Sequence, residues 1–219
     1  MIARNREAVT ALGVAVVFFT TLSLIRQNPR LWPYLEVVAV LVVLATLADR
    51  AAHFSRPLVA ALTTLIVLHL VGGLLPPVAD APTFYETWLV PGVLKFDQLV
   101  HGYGGLVLTL ASAQLAVGLL GQPKPHAWAL PFVALLMAQG MGALNELVEF
   151  LFGLSNANLH AGGLENTGWD LAFNLAGSVI AVAWLVANPL EVDDKHEGLV
   201  GTDHATGALS SVREVGRDR

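Results

Sequence analysis

The chain has 219 residues with a formal net charge of −5; 55% of them are hydrophobic and 13% are charged. An average soluble domain is about 25% charged, so an ordinary water-soluble fold is excluded, and with no basic patch in the chain so is a nucleic-acid partner. The absence of cysteine excludes disulfides, thiolate metal sites, iron–sulfur clusters and covalently attached haem.

The mean hydropathy is +0.63. Runs of about 18 or more apolar residues mark membrane spans, and six are expected, at residues 8–25, 33–48, 57–75, 99–120, 127–152 and 169–187. The first follows Arg4 and Arg6 and runs straight into Arg26. It is too long for the apolar part of a signal peptide and lacks a small-residue cleavage site, so it reads as a retained span. The second is the shortest and carries Glu36. The third carries His69 in "VLHLVGG".

Between the third and fourth spans lies "PPVADAPTFYETWLVPGVLK", residues 76–95, whose prolines break any long helix. Phe84, Tyr85 and Trp88 suit the headgroup level. The segment reads as an interfacial loop, with a lid as the alternative.

The fourth span opens with "FDQLVHGYGG", where Asp97 and His101 stand four residues apart. The fifth contains "LNELVEF", with Glu146 and Glu149 three apart, and the sixth "WDLAFNLAG", with Asp170 and Asn174 four apart. Each spacing puts the pair on one helix face, one turn apart. Gly105, Thr109 and Ala113 recur every four residues, and Gly142 and Gly177 lie on the neighbouring spans. Small residues at such spacing let membrane helices approach closely. The loop at residues 154–167 holds His160 and Glu165, to which no role is assigned, and the acidic tail at residues 189–219 reads as flexible and cytoplasmic.

The chain is thus expected to form an all-α membrane bundle over residues 1–188 with a tail, its only clear partner being the lipid bilayer. Lys and Arg in the loops favour N-in and C-in, although Arg26 and Arg30 oppose that bias. In this topology Asp97, His101, Glu146, Glu149, Asp170 and Asn174 all fall near the outer ends of their spans, with His69 about 9 Å below its own. Inverting the topology would move the group together to the other side.

An acid at the centre of a membrane helix costs about 2.5–3.5 kcal/mol, so such residues face a bundle interior or a wet cavity. Lys95 is the only nearby base for the four carboxylates. Protonated carboxyls, a bound metal cation or a cationic part of a ligand would each relieve the repulsion. Singly, each residue has an ordinary explanation. Asp97 and Asp170 would cap their helices, Glu149 would be solvated, His69 and His101 would be hydrogen-bonded core histidines, and Asn174 would bridge helices. Three successive spans bringing polar pairs to one depth point instead to a site.

Carboxylates with imidazole suit Zn²⁺, Mn²⁺ or Fe as a divalent metal, although no spacing matches a dedicated metal motif. Axial haem ligation by His69 and His101 is disfavoured by the acids around them.

In this order "FDQLVH", "NELVEF" and "WDLAFNLAG" resemble the D-x-x-x-H, E-x-x-E or E-x-x-Q, and D-x-x-x-N-x-x-G elements of the VanZ-like membrane proteins, in particular the YjdF-like group, a domain of unknown function. The resemblance covers about residues 69 to 180, and the matching positions are Asp97, His101, Glu146, Glu149, Asp170, Asn174 and Gly177. Many VanZ-like proteins carry an arginine near or after the second element, and this chain has none there. The resemblance implies a bacterial inner membrane and a link to the cell envelope or glycopeptide tolerance; it supplies no reaction.

The leading expectation is an outward-facing site that binds or acts on an envelope lipid or lipid-linked substrate. A cation on Glu146, Glu149, Asp170 and His101 would polarise a phosphoryl or carbonyl oxygen, as in a hydrolase or transferase. In that scheme Asp97, His101 and Glu146 carry the chemistry, with Asp97 orienting His101 or acting as base, and His69 and Asn174 bind substrate. The alternatives are a proton-coupled carrier, against which no polar trail to the inner face is evident, and a non-catalytic scaffold.

Overall fold

A computed structural model describes residues 4–78, 81, 83–120, 128–155 and 163–190. It is an all-α bundle of six helices, each long and apolar enough to cross a membrane. They are α1 (Arg6–Ile25), α2 (Leu31–Ala52), α3 (Arg56–Leu74), α4 (Phe96–Leu120), α5 (Ala129–Ser155) and α6 (Gly163–Ala187). A two-stranded antiparallel hairpin, β1 (Trp88–Val90) and β2 (Leu94–Lys95), precedes α4. His160 and residues 191–219 of the expected tail lie outside the described residues.

Every expected span is a helix, with shifted ends. The second, read as 33–48, runs from Leu31 to Ala52. Pro33 falls in its first turn, where the missing N–H leaves no helical bond unmade, and the helix stops at His53 in a left-handed conformation. The fifth continues to Ser155, and the sixth begins at Gly163 rather than 169. The α6 extension, Gly163 to Gly168, is mostly polar, and an apolar-run criterion trims it away.

The central helix is α4, which packs against α2, α3, α5 and α6. Its tightest partner is α6. A Cβ on Gly177 would collide with the Gly102 carbonyl, and one on Gly105 with the Asn174 backbone. These glycines let the two backbones touch, and so bring the polar faces of α4 and α6 together. On the other side of α3, Phe19, Leu31, Val38, Ile66, Leu70 and Leu74 form an apolar core among α1, α2 and α3.

The two ends of the bundle differ. At one end Arg4 pairs with the buried Asp49 and donates to the Phe54 carbonyl at 2.9 Å. There the Ser55 N–H also donates to Gln114 at 3.0 Å. The other end carries the α5 and α6 extensions, the hairpin and every candidate site residue. Of the loop of residues 76–95, the part from residue 83 onward packs back onto the bundle. Tyr85 lies against α3 where Gly72 leaves no side chain, and Phe84 packs edge-on to Phe96 at 5.0 Å between ring centroids. Gly92, with φ +70°, supplies the left-handed residue that the hairpin turn requires.

Candidate functional site

His101 is the hub of the cluster. It sits one turn above Asp97 on α4 and is buried to 6% exposure. Its Nε2 faces Asp97 Oδ1 at 3.4 Å and Asp170 Oδ1 at 3.8 Å. Its Nδ1 faces the Asn174 amide nitrogen at 3.2 Å and Glu146 Oε1 at 3.7 Å. Asp170 has no exposed surface, and Asn174, Asp97 and Glu146 are also buried.

Two asparagines hold the carboxylates in place. The Asn166 side-chain amide donates to Asp97 Oδ2 at 3.1 Å and also to Asp170 Oδ2. The two outer oxygens are thereby clamped, and the two inner ones point at His101 Nε2. Asn145 donates to Glu149 Oε1 at 2.8 Å. Asn174 reaches His101 through a niche left by glycines; a Cβ on Gly142 would lie 2.8 Å from its amide nitrogen.

Two oxygens remain without a hydrogen-bond partner while fully buried, Asp170 Oδ1 and Glu146 Oε1. An unpaired buried polar atom ordinarily costs about 1–3 kcal/mol, more when charged. No lysine or arginine among the described residues offsets them. Lys95, the one base expected to help, is 2.6 Å from Glu86 and lies over the Trp88 ring. The basic side chain that faces both oxygens is His101, 3.8 Å from Asp170 Oδ1 and 3.7 Å from Glu146 Oε1.

The cluster splits into two sets whose ligand-type atoms converge, Asp97–His101–Asp170 and His101–Glu146–Glu149. The set expected from the sequence, Glu146, Glu149, Asp170 and His101, is thus divided by the His101 ring. The capping explanation of Asp170 fails, because α6 starts seven residues before it. Asp97 does lie in the first turn of α4, and its carboxylate also faces His101.

His69 is turned elsewhere. Its Nδ1 is 2.7 Å from the Tyr85 hydroxyl, which also donates to the His69 carbonyl at 3.3 Å. Burial keeps the Tyr85 phenol well above its usual pKa, so it remains a neutral hydrogen-bonding group. Asp97 N–H donates to the Tyr85 carbonyl at 3.1 Å, so the His69–Tyr85 pair positions the start of α4.

Sequence reasoning missed Asn166 and Asn145. Asn166 lies four residues before Asp170 on one helix face, a signal that was lost when α6 was read as starting at 169. It also missed the polar line below His101. Gln139 donates to Ser178 at 2.8 Å, while Ser178 and Thr109 both donate to the Gly105 carbonyl, at 3.2 and 2.7 Å. Beyond it lie buried Ala113, Ala134 and Leu185.

Fold and site together define a class: a polytopic all-α membrane protein with a buried carboxylate–imidazole cluster at one end of its bundle. The chain belongs to a family described as predicted membrane protein (DUF2238), whose model matches residues 8–189 and so takes in every residue of the cluster. No curated protein and no solved structure matches it.

Proposed function

We propose that the cluster binds a divalent cation and, through it, an anionic group of a lipid or lipid-linked substrate in the outer half of a bacterial inner membrane. The observation that carries this reading is the unpartnered, fully buried Asp170 Oδ1. It converges with Asp97 Oδ1 on His101 Nε2 at distances of 3.8 and 3.4 Å. These are long for hydrogen bonds. They lie near the ~3.4 Å edge of a tetrahedron with ~2.1 Å metal–ligand bonds.

Three protein ligands with an open fourth position is the pattern of a catalytic rather than a structural metal. Asn166 and Asn174 then orient the ligands from behind, as such partners do. With the cation on Nε2 the ring proton would sit on Nδ1, and the Asn174 amide, whose nitrogen lies 3.2 Å from Nδ1, would turn over to present its oxygen there. Asp97 becomes a ligand in this scheme, while Glu146 and Glu149 stand beside the metal. A bound cation would polarise a phosphoryl or carbonyl oxygen.

The likeness to VanZ-like and YjdF-like proteins and the Lys/Arg bias support the bacterial inner membrane and the N-in orientation. The carrier reading is less well supported, since the polar line stops at Ala113, Ala134 and Leu185.

Elemental analysis of detergent-purified protein, after equilibration with Zn²⁺ or Mn²⁺ and removal of excess, tests the proposal. About one metal per chain is expected, lost in Asp170→Asn and Asp97→Asn and kept in Glu146→Gln/Glu149→Gln. No metal in the wild type, or equal metal in all variants, would refute it.

A further inference from the structure

The Glu146–Glu149 face is left over once a cation sits on the other side of His101, and it carries its own demand for a ligand. Glu146 is 8% exposed, and its buried Oε1 has no hydrogen-bond partner. Glu149, one turn closer to the helix end, is half-buried, and Asn145 donates to one of its oxygens. The Nδ1 nitrogen of His101 is engaged by Asn174, and Lys95 by Glu86. The basic group that faces them is His101, its Nδ1 3.7 Å from Glu146 Oε1, and that imidazole is neutral once its Nε2 holds the cation.

We infer that this face is a subsite for a primary ammonium group, and that the substrate is a lipid whose headgroup joins an amine to a phosphate, as phosphoethanolamine does. The inference rests on the cation reading, because the phosphate is assigned to the metal. One imidazole ring separates the positive and the negative receptor, which suits a headgroup whose own charges lie a short linker apart. An ammonium with N–H donors can satisfy Glu146 Oε1, whereas a quaternary choline has none to give. A lipid source fits better than a free amine. Leu147, Val148 and Phe150, which flank the pair on α5, are exposed on the bundle surface, where acyl chains lie.

The test uses the full chain, delipidated in detergent, loaded with Zn²⁺ or Mn²⁺ and offered equal amounts of phosphatidylethanolamine, phosphatidylcholine and phosphatidylglycerol. Retained lipid is counted by native mass spectrometry and metal by elemental analysis. The expected result is about ten-fold more phosphatidylethanolamine than phosphatidylcholine retained, the size of effect that a hydrogen bond to a charged group gives. That preference should vanish in Glu146→Gln/Glu149→Gln with the metal unchanged. Should the double variant misfold, Glu149→Gln, at a half-buried position, should still reduce the preference. Metal retained with no discrimination among the lipids overturns the inference and leaves the cation site standing. Discrimination without any metal overturns the cation site and with it the phosphate's place on the metal, and leaves the ammonium subsite standing. A second metal equivalent lost in the double variant makes the pair another cation site and overturns the ammonium subsite. Displacement of the lipid by an equal concentration of free ethanolamine overturns the lipid source.

Discussion

Asn166 is the residue whose removal separates a metal site from an acid cluster. Its one amide holds the outer oxygens of Asp97 and Asp170, the ones turned away from His101. Asn166→Ala should weaken metal binding about 10–100-fold, the usual effect of losing an outer-shell partner. Competition with a metal chelator of known affinity measures this. In a scaffold without metal the same variant would release two carboxylates to repel each other and would only lower thermal stability. Tyr85→Phe acts at the same scale. It removes the hydroxyl from His69 and should cost about 1 kcal/mol, seen as faster amide exchange at Asp97, whose N–H is bound to the Tyr85 carbonyl.

Between elements, the site depends on how closely α4 and α6 approach. Gly105→Ala and Gly177→Ala place a methyl group against backbone that cannot move aside, and overpacking of this kind costs about 1–3 kcal/mol. Both variants should lower the unfolding temperature in detergent and lose metal together, because spreading the helices draws Asp170 away from His101. Gly140→Ala is the control. Nothing lies within 4 Å of its added methyl, so stability and metal content should hold. Much of this scale is legible in the chain itself. The polar pairs on α4, α5 and α6 follow from helical spacing, and the small residues at 105, 142 and 177 mark close contacts. The extra turn of α6 is less legible, because Asn166 and Thr167 carry no apolar signal and read as loop.

For the whole molecule, the orientation in the membrane is the property to measure. The absence of cysteine makes single introduced cysteines clean reporters. Val93, exposed in the hairpin turn, lies at the site end, and Arg56, at the start of α3, lies at the opposite end. With N-in topology, Val93→Cys should react with a membrane-impermeant maleimide in intact cells, and Arg56→Cys only after permeabilisation. The reverse pattern would put the site on the cytoplasmic face and remove the envelope setting from the proposed function.

The sequence alone determined the six helices, their approximate ends and which residues were too polar for lipid, because helix formation in a bilayer and the depth of a residue along its helix are local properties of an apolar run. Only the tertiary structure decided that Asp97 and Asp170 share one nitrogen of His101 while Glu146 stands at the other. It also decided that His69 turns to Tyr85 and that Lys95 serves Glu86. Those outcomes depend on how each helix is rotated and how closely neighbours cross, which the contacts at Gly105, Gly142 and Gly177 set between segments far apart in the chain.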